Sequence, residues 1–230
     1  MQIEPIYPKS IKCLYCKHPF KTSRVRSRFV RVASHDTDFK PNYKNVEANP
    51  LYYNVAVCPS CGFAFTEDFL PYFAPHAEQK IEKIIRANWN ERDLTGERTI
   101  EDAIETYKLA LLSSKLKEEK ALPTAGLALR LAWLYRELGD EENEIRFLTA
   151  SRDAYKEAFT AGDHAGTTMS ETRVVYLIAE LSWRIGDKDE AIRNFSYIIS
   201  NQKNSTDPKA VDLAKERWQE IRELDENKSE

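Results

Sequence analysis

The segments CLYC at 13–16 and CPSCG at 58–62 contain all four cysteines of this 230-residue chain. In each segment two residues separate the cysteines, so a single tight turn can present both sulfurs to one ion. Pro59 fixes the φ angle within the second turn, and Gly62 allows the chain to leave it at positive φ. Four thiolates complete the tetrahedral coordination of Zn²⁺ and leave no position for water, which is typical of a structural site. The predicted zinc ligands are Cys13, Cys16, Cys58 and Cys61.

The 41 residues between the two cysteine pairs must carry structure of their own. Val, Phe and Tyr favour β-structure over 26–34 and 52–57, and we predict a strand in each segment. We therefore expect a small β zinc-ribbon domain over residues 1–75, stabilised by metal binding because its own core is small. The alternative is a pair of redox-active CxxC motifs, which would need a βαβ context that neither pair has.

The balance of charged residues also changes near residue 75. Residues 1–75 contain 10 Lys/Arg and 6 Asp/Glu, whereas residues 76–230 contain 24 and 31, so the two parts carry +4 and −7. Arg24, Arg26 and Arg28 alternate, and on a β-strand they would share one face. That face is a candidate for binding nucleic-acid phosphates. The alternative is a solvated strand face whose arginines pair with the acidic helical part.

Residues 76–230 show the apolar spacing of successive α-helices. The segment 131–140 is repeated at 178–187, a shift of 47 residues, and each copy ends in a Gly-Asp pair. Glycine ends a helix in the left-handed conformation, and aspartate caps the next helix. We predict a mainly α chain, with an antiparallel helical repeat array over 76–230 that follows the small N-terminal β domain. Pro208 begins the predicted C-terminal capping helix.

The repeated segments resemble the tetratricopeptide repeat (TPR), although the shift of 47 exceeds the usual period of about 34 residues. Leu131, Ala132 and Phe195 are among the matching positions. The resemblance implies a concave groove that binds a partner peptide. The alternative is that Trp133 and Trp183 are core residues and that the chain's own helices fill the groove. The groove positions implied by the resemblance are Leu129, Trp133, Arg136, Arg173, Tyr176, Glu180 and Trp183.

Sequence signatures of catalysis are missing from the chain. It has no GxxxxGK[ST], GxGxxG, HExxH or GxSxG segment, and zinc would take every cysteine. The longest apolar run, 174–179, is far shorter than the roughly 20 residues of a transmembrane helix. No signal peptide is recognisable, so we expect a cytoplasmic protein with reduced cysteines and no membrane partner.

Four features occur in a fixed order in this chain: CxxC at 13–16, CPxCG at 58–62, the polar loop at 89–98 and the stretch AIETYKLA at 103–110. In this combination the chain resembles a family of uncharacterised proteins from Gram-positive bacteria, domain-of-unknown-function family 2225. The resemblance implies this architecture and a bacterial cytosolic setting, and it implies no activity.

These features predict a non-enzymatic cytosolic adaptor or scaffold. Structural Zn²⁺ would stabilise the N-terminal domain, and the TPR-like groove would bind a protein or peptide partner. One alternative is a nucleic-acid-associated regulator that binds through the basic strand with Arg24, Arg26 and Arg28. Another is an enzyme whose active site we do not recognise.

Overall fold

The computed structural model describes residues 3–44, 48–90 and 92–226. The chain is 56% helical, and its helices pack against one another next to a few short antiparallel strand pairs at the N-terminal end. The predicted fold class, mainly α with a small N-terminal β region, is confirmed. Within the described ranges, none of the helices combines the length and the apolar character of a membrane span.

Six strands in the described residues form three antiparallel pairs, each made of neighbours in sequence. They are β1 (Ile6–Lys12), β2 (Pro19–Val25), β3 (Val32–His35), β4 (Pro41–Tyr43), β5 (Ala56–Val57) and β6 (Ala64–Phe65). The cysteine segment 13–16 lies at the turn of the first pair, and 58–61 lies at the turn of the last. The middle pair is a hairpin with residues 36–40 at its tip. The fold thus presents both cysteine pairs on β-turns.

The strand that we predicted over 26–34 is wrong for its first half. β2 pairs with β1 only as far as Val25. The Arg26 N–H still donates to the Pro5 carbonyl at 2.9 Å, but Pro5 has no N–H to donate in return, so the ladder ends there. The chain instead closes a 3₁₀ turn over Ser27–Phe29, where the Phe29 N–H donates to the Arg26 carbonyl at 2.9 Å. Only the end of the segment pairs as β3.

The second predicted strand, 52–57, forms only at its end, as β5. The Asn49 side chain accepts a hydrogen bond from the Leu51 N–H at 3.0 Å and starts a 3₁₀ turn over Pro50–Tyr53. This turn takes up the two tyrosines that favoured a strand in the sequence, so the strand begins later than predicted.

Seven α-helices lie in the described residues. They are α1 (Ala77–Ile84), α2 (Ile100–Lys117), α3 (Ala121–Leu138), α4 (Glu141–Ala161), α5 (Glu171–Arg184), α6 (Lys188–Ser200) and α7 (Pro208–Glu226). Gly139 ends α3 with a φ of 69°, and Asp140 accepts a hydrogen bond from the Asn143 N–H at the start of α4. Gly186, with a φ of 87°, and Asp187 take the same places between α5 and α6. The predicted Gly-Asp junctions are therefore confirmed.

The N-terminal strands and the helices share one apolar core. Phe63, just before β6, and Tyr107 of α2 are both fully buried in it. The Ala64 N–H of β6 donates to the Ser113 hydroxyl of α2 at 3.1 Å. A second core, at the other end, holds α5, α6 and α7 together. The predicted boundary at residue 75 thus separates two sequence patterns that are packed directly on each other.

Candidate functional site

The two cysteine turns have the same backbone geometry. In both, the residue after the second cysteine donates its N–H to the carbonyl of the first cysteine: Lys17 to Cys13 at 3.2 Å, and Gly62 to Cys58 at 2.9 Å. That residue has a positive φ in both turns, 63° for Lys17 and 73° for Gly62. Each turn thereby places its two sulfurs on one side of the backbone, although the turns are far apart in sequence.

The four cysteine sulfurs converge on one point. All four Sγ atoms lie within 4.8 Å of one another. The Sγ atoms of Cys13 and Cys61 are 3.7 Å apart, and those of Cys16 and Cys58 are 3.6 Å apart. Four sulfurs arranged tetrahedrally at about 2.3 Å from one ion lie about 3.8 Å from each other. The structure therefore brings together all four predicted ligands in a cluster that can hold a metal ion.

Ionisation of all four buried thiols in this cluster would require a counter-charge. Cys13, Cys58 and Cys61 have at most 1% of their surface exposed, and Cys16 is half-buried. Hydrogen bonding to Cys58 raises the pKa of the Cys13 thiol to about 12, and the same interaction lowers the pKa of Cys58 to about 2. Unequal ionisation of crowded thiols is expected when no cation compensates them, whereas a bound divalent ion stabilises every thiolate at once.

Trp89 supports the second cysteine turn. Its indole N–H donates to the Pro59 carbonyl at 2.7 Å. A Cβ atom on Gly62 would lie 2.4 Å from Cε3 of the same ring, so only glycine fits between the turn and the indole. The sequence analysis missed Trp89, since nothing in its local sequence connects it with a turn 30 residues away.

The predicted groove lies along α3 and α5, and the tip of the middle hairpin occupies it. We call residues 36–40 (sequence DTDFK), which connect β3 and β4, the acidic arm. We call the surface of α3 and α5 that faces the acidic arm the concave face. The alternative, that the tryptophans are core residues and that the chain's own helices fill the groove, holds in part: Trp133 lies in the apolar core, and Arg217 of α7 donates to Glu180 at 2.7 Å. A segment of the N-terminal region covers the rest.

Asp38 is the most deeply placed residue of the acidic arm, with none of its surface exposed. Its carboxylate accepts hydrogen bonds from Arg136 Nη2 at 2.7 Å and from the Trp133 indole N–H at 3.0 Å. The Arg184 guanidinium lies 3.8 Å away. Burial opposes ionisation of Asp38, but the hydrogen bond from Arg136 and the charges of both arginines outweigh it, so its pKa is lowered. The concave face therefore holds a buried carboxylate in its charged form.

The neighbours of Asp38 in the arm are also bound to α5. The Thr37 hydroxyl donates to Glu180 Oε1 at 2.5 Å, and the Thr37 carbonyl accepts from the Tyr176 hydroxyl at 2.9 Å. Phe39 packs on the Tyr176 ring at 5.2 Å between centroids, with the Arg173 guanidinium 5.6 Å from its ring. Phe39 has a φ of 66°, a conformation that bulky side chains rarely adopt.

Most of the predicted groove residues thus contact the acidic arm. Trp133, Arg136, Tyr176 and Glu180 bind it through hydrogen bonds, and Arg173 packs on its aromatic ring. The remaining two predicted residues lie to either side. Leu129 is buried in the lining of a cavity next to the arm, and Trp183 lies near the end of α5, under Lys188.

The three arginines of the predicted basic strand do not share a strand face, because β2 ends at Val25. Arg24 is largely buried, 3.8 Å from a carboxylate oxygen of Glu67. Arg26 donates to the Glu4 carbonyl and stacks on the Tyr7 ring at 4.8 Å. Arg28 lies in the 3₁₀ turn, 4.7 Å from the Phe29 ring and in contact with the Ile3 carbonyl. Nucleic-acid binding by these arginines stays a prediction.

Comparison with known proteins identifies the family of the chain but finds no individual relative. Neither the curated proteins nor the solved structures contain a match to this chain. One family model matches residues 6–221, and it describes uncharacterised proteins conserved in bacteria. This span includes both cysteine turns, the acidic arm and all of the predicted groove residues. The resemblance drawn from the cysteine spacing is therefore confirmed, and the chain belongs to the DUF2225 family of bacterial proteins.

Proposed function

We propose that this protein is a non-enzymatic adaptor of the bacterial cytoplasm that binds an acidic β-turn of another protein on its concave face. The helical part serves as a TPR-like recognition scaffold, and a structural metal ion stabilises the N-terminal region. The observation that carries the proposal is the mode in which the acidic arm is bound. A hairpin turn, closed by the Phe39 N–H donating to the Asp36 carbonyl at 2.9 Å, already lies in the groove and is recognised through a carboxylate, a backbone carbonyl and an aromatic ring.

We propose Zn²⁺ as the ion at the four cysteines. Four thiolates in a tetrahedral arrangement favour zinc among the common metal ions, and a ligand set without an open position suits a structural role. Cys13, Cys16, Cys58 and Cys61 would hold the ion, and it would supply positive charge and a cross-link between the two turns. Reduced, metal-bound cysteines are typical of a cytoplasmic protein.

The partner segment is defined by the contacts of the acidic arm. Arg136 and the Trp133 indole N–H select a carboxylate. The Tyr176 hydroxyl selects a backbone carbonyl one residue earlier, and the ring of the same tyrosine packs on an aromatic side chain one residue later. The proposed partner therefore contains a β-turn in which an acidic residue is directly followed by an aromatic one, and it binds in competition with the arm.

The hairpin that carries the acidic arm is suited to displacement. It has only two short strands, and all four residues of β3 are exposed. Isolated two-stranded hairpins are marginally stable in water. The left-handed backbone of Phe39 adds a conformational cost of about 1–3 kcal/mol to the docked arm. Displacement leaves the contacts between neighbouring helices in place.

A peptide that copies residues 34–42 tests the proposal. The receptor is the full-length Asp38→Asn variant, whose own arm has lost its carboxylate, and fluorescence anisotropy of the labelled peptide measures binding. We expect binding at least about tenfold tighter than to the wild-type chain, where the intact arm competes. A matched peptide with Asn in place of its Asp is the control, and it should bind at least about tenfold more weakly.

A second substitution separates recognition from folding. Trp133→Phe, introduced into the Asp38→Asn receptor, removes the indole N–H but keeps an aromatic ring, and it should weaken peptide binding without changing the circular dichroism spectrum. The proposal fails if the folded Asp38→Asn receptor does not bind the peptide, or if it binds the acidic and the control peptide equally.

A further inference from the structure

A second feature of the concave face lies beside the acidic arm. An open cavity of about 620 Å³ is lined by α3, α5 and the loop that follows α4, with Phe39 of the arm at one side. Its volume lies in the range of small-molecule sites, about 300–1,000 Å³. Much of its wall is apolar or aromatic, including Leu129, Trp133, Tyr155 and Leu177.

Arg130 gives this cavity an uncompensated positive charge. Its guanidinium is half-buried in the lining, and its Nη1 donates to the Gly126 carbonyl of the same helix at 3.0 Å. Among the described residues, no carboxylate lies within ion-pair distance of it. The two other basic residues of the lining are paired, since Lys120 lies 3.9 Å from Asp163 and Arg173 lies 3.1 Å from Asp207. Asp68, also in the lining, is exposed to solvent.

Gly126 makes room for the Arg130 guanidinium. A Cβ atom at Gly126 would lie 2.9 Å from Nη1 of Arg130. Glycine weakens the interior of a helix, and Gly126 is an interior residue of α3. Tyr155, also in the lining, is buried over most of its surface, and the described residues offer its hydroxyl no hydrogen bond. One side of the cavity therefore presents a cation without a carboxylate partner and a hydroxyl that is available to a ligand.

From this arrangement we infer that the cavity is a binding site for a small organic anion with an aromatic or branched apolar body. The anionic group, a carboxylate, sulfonate or phosphate, pairs with Arg130, and the apolar body packs against Trp133 and Leu129. The site is complete with the acidic arm in its place, because Phe39 forms part of the wall. The inference therefore goes beyond the proposed adaptor function, and displacement of the arm by a peptide is not needed for it.

A matched pair of fluorescent probes tests the inference on the full-length, metal-loaded chain. Anilinonaphthalene sulfonate has an aromatic body with an anionic group, and phenylnaphthylamine has the same body without the charge. We expect the sulfonate to bind in a 1:1 ratio with energy transfer from tryptophan. It should bind at least about tenfold more tightly than the neutral amine, as a charge-assisted hydrogen bond implies.

Three variants assign the binding to the cavity. Arg130→Gln should weaken sulfonate binding about tenfold or more and leave binding of the neutral amine unchanged. Gly126→Ala favours the helix but displaces the guanidinium, so it should weaken sulfonate binding several-fold in a chain that folds normally. Arg146→Gln, on an exposed part of α4, is the control and should have no effect. The inference is overturned if the two probes bind equally, or if Arg130→Gln and Gly126→Ala both leave the sulfonate affinity unchanged.

Discussion

The N-terminal region contacts the rest of the chain along the shared core, and two of its contacts, which we call the metal attachment and the arm attachment, place acidic groups among buried side chains. At the metal attachment, the thiol groups of the two cysteine turns converge among apolar side chains, and the Zn²⁺ that we propose there would supply the compensating charge. At the acidic arm, the carboxylate of Asp38 meets Arg136 and Trp133, so the chain contains its own counter-charge. On our proposal the first attachment depends on a bound metal ion, whereas the second depends on Asp38 being deprotonated.

The two attachments are also connected through the chain. The acidic arm lies within the 41 residues that separate Cys16 from Cys58. An ion that binds both cysteine turns closes this segment into a loop, which lowers the entropy of the unfolded chain. For a covalent cross-link of this loop length, the polymer estimate is roughly 4 kcal/mol. Metal binding at one attachment is thus expected to favour docking of the arm at the other.

The largest effect is expected from breaking the metal attachment. Cys58→Ser removes one thiolate from the buried cluster, and structural zinc sites contribute about 10 kcal/mol or more of binding free energy. We expect loss of bound metal and unfolding of the N-terminal region, measured by elemental analysis and near-ultraviolet circular dichroism. Ser60→Ala, an exposed position in the same turn, is the control. A Cys58→Ser chain with full metal content and an unchanged spectrum would contradict the account.

Removing the buried carboxylate of the acidic arm is expected to lower the free energy of unfolding by a smaller amount. Asp38→Ala leaves the buried guanidinium and indole N–H without their acceptor, and loss of one partner of a buried ion pair typically costs about 3–5 kcal/mol. Asp36→Ala removes a carboxylate that contacts the same arginine but is 31% exposed, and it should cost about 1 kcal/mol or less. Denaturant unfolding of metal-loaded protein measures both. Equal effects of the two substitutions would show that burial of Asp38 is unimportant.

Substitutions at equivalent positions of the two cysteine turns should change stability by different amounts, and this effect is smaller. Gly62→Ala places a Cβ atom against Trp89 and in a left-handed conformation, and we expect a loss of about 2–4 kcal/mol. Lys17→Gly, at the equivalent position of the first turn, relieves the positive φ and should change stability by less than about 1 kcal/mol. The unfolding midpoints of both variants check this contrast. Tolerance of Gly62→Ala would mean that Trp89 does not press against the turn.

The smallest expected effect is the dependence of stability on pH in the acid range. The pKa of Asp38 lies below its ordinary value of 3.8, so its contribution to stability is complete above that pH and is lost as the pH falls through the lowered pKa. The difference in unfolding free energy between the wild-type chain and Asp38→Asn should therefore be constant near neutrality and should shrink only below pH 3.8. A difference that already disappears near neutral pH would contradict the ion pair.

The cysteine cluster and the helix junctions could be predicted from the sequence because their signals are local. Two residues between cysteines define a turn, and a Gly-Asp pair defines the end of one helix and the start of the next. The docking of the acidic arm could not be predicted in this way, since Asp38 and Arg136 are 98 residues apart. The prediction of a strand over 26–34 was wrong for a similar reason, because Pro5, 21 residues earlier in the chain, ends the pairing of β1 with β2.

The groove could be predicted from the sequence only in part. The repeat pattern placed Trp133, Arg136, Tyr176 and Glu180 on a common surface, which the structure shows in contact with the arm. No periodicity in the sequence indicates what covers that surface. The sequence offers one hint about the segment that occupies the groove, which is its charge. Asp36 and Asp38 are the first acidic residues after the basic stretch 5–35.

The metal content of the purified wild-type chain is the most direct test of the difference between the two attachments. Elemental analysis of protein prepared under reducing conditions, without added metal and without chelator, gives the number of ions per chain. We predict one zinc ion per chain, lost together with near-ultraviolet circular dichroism when a strong chelator is added. A folded chain that contains no zinc, and whose spectrum the chelator leaves unchanged, would contradict this prediction.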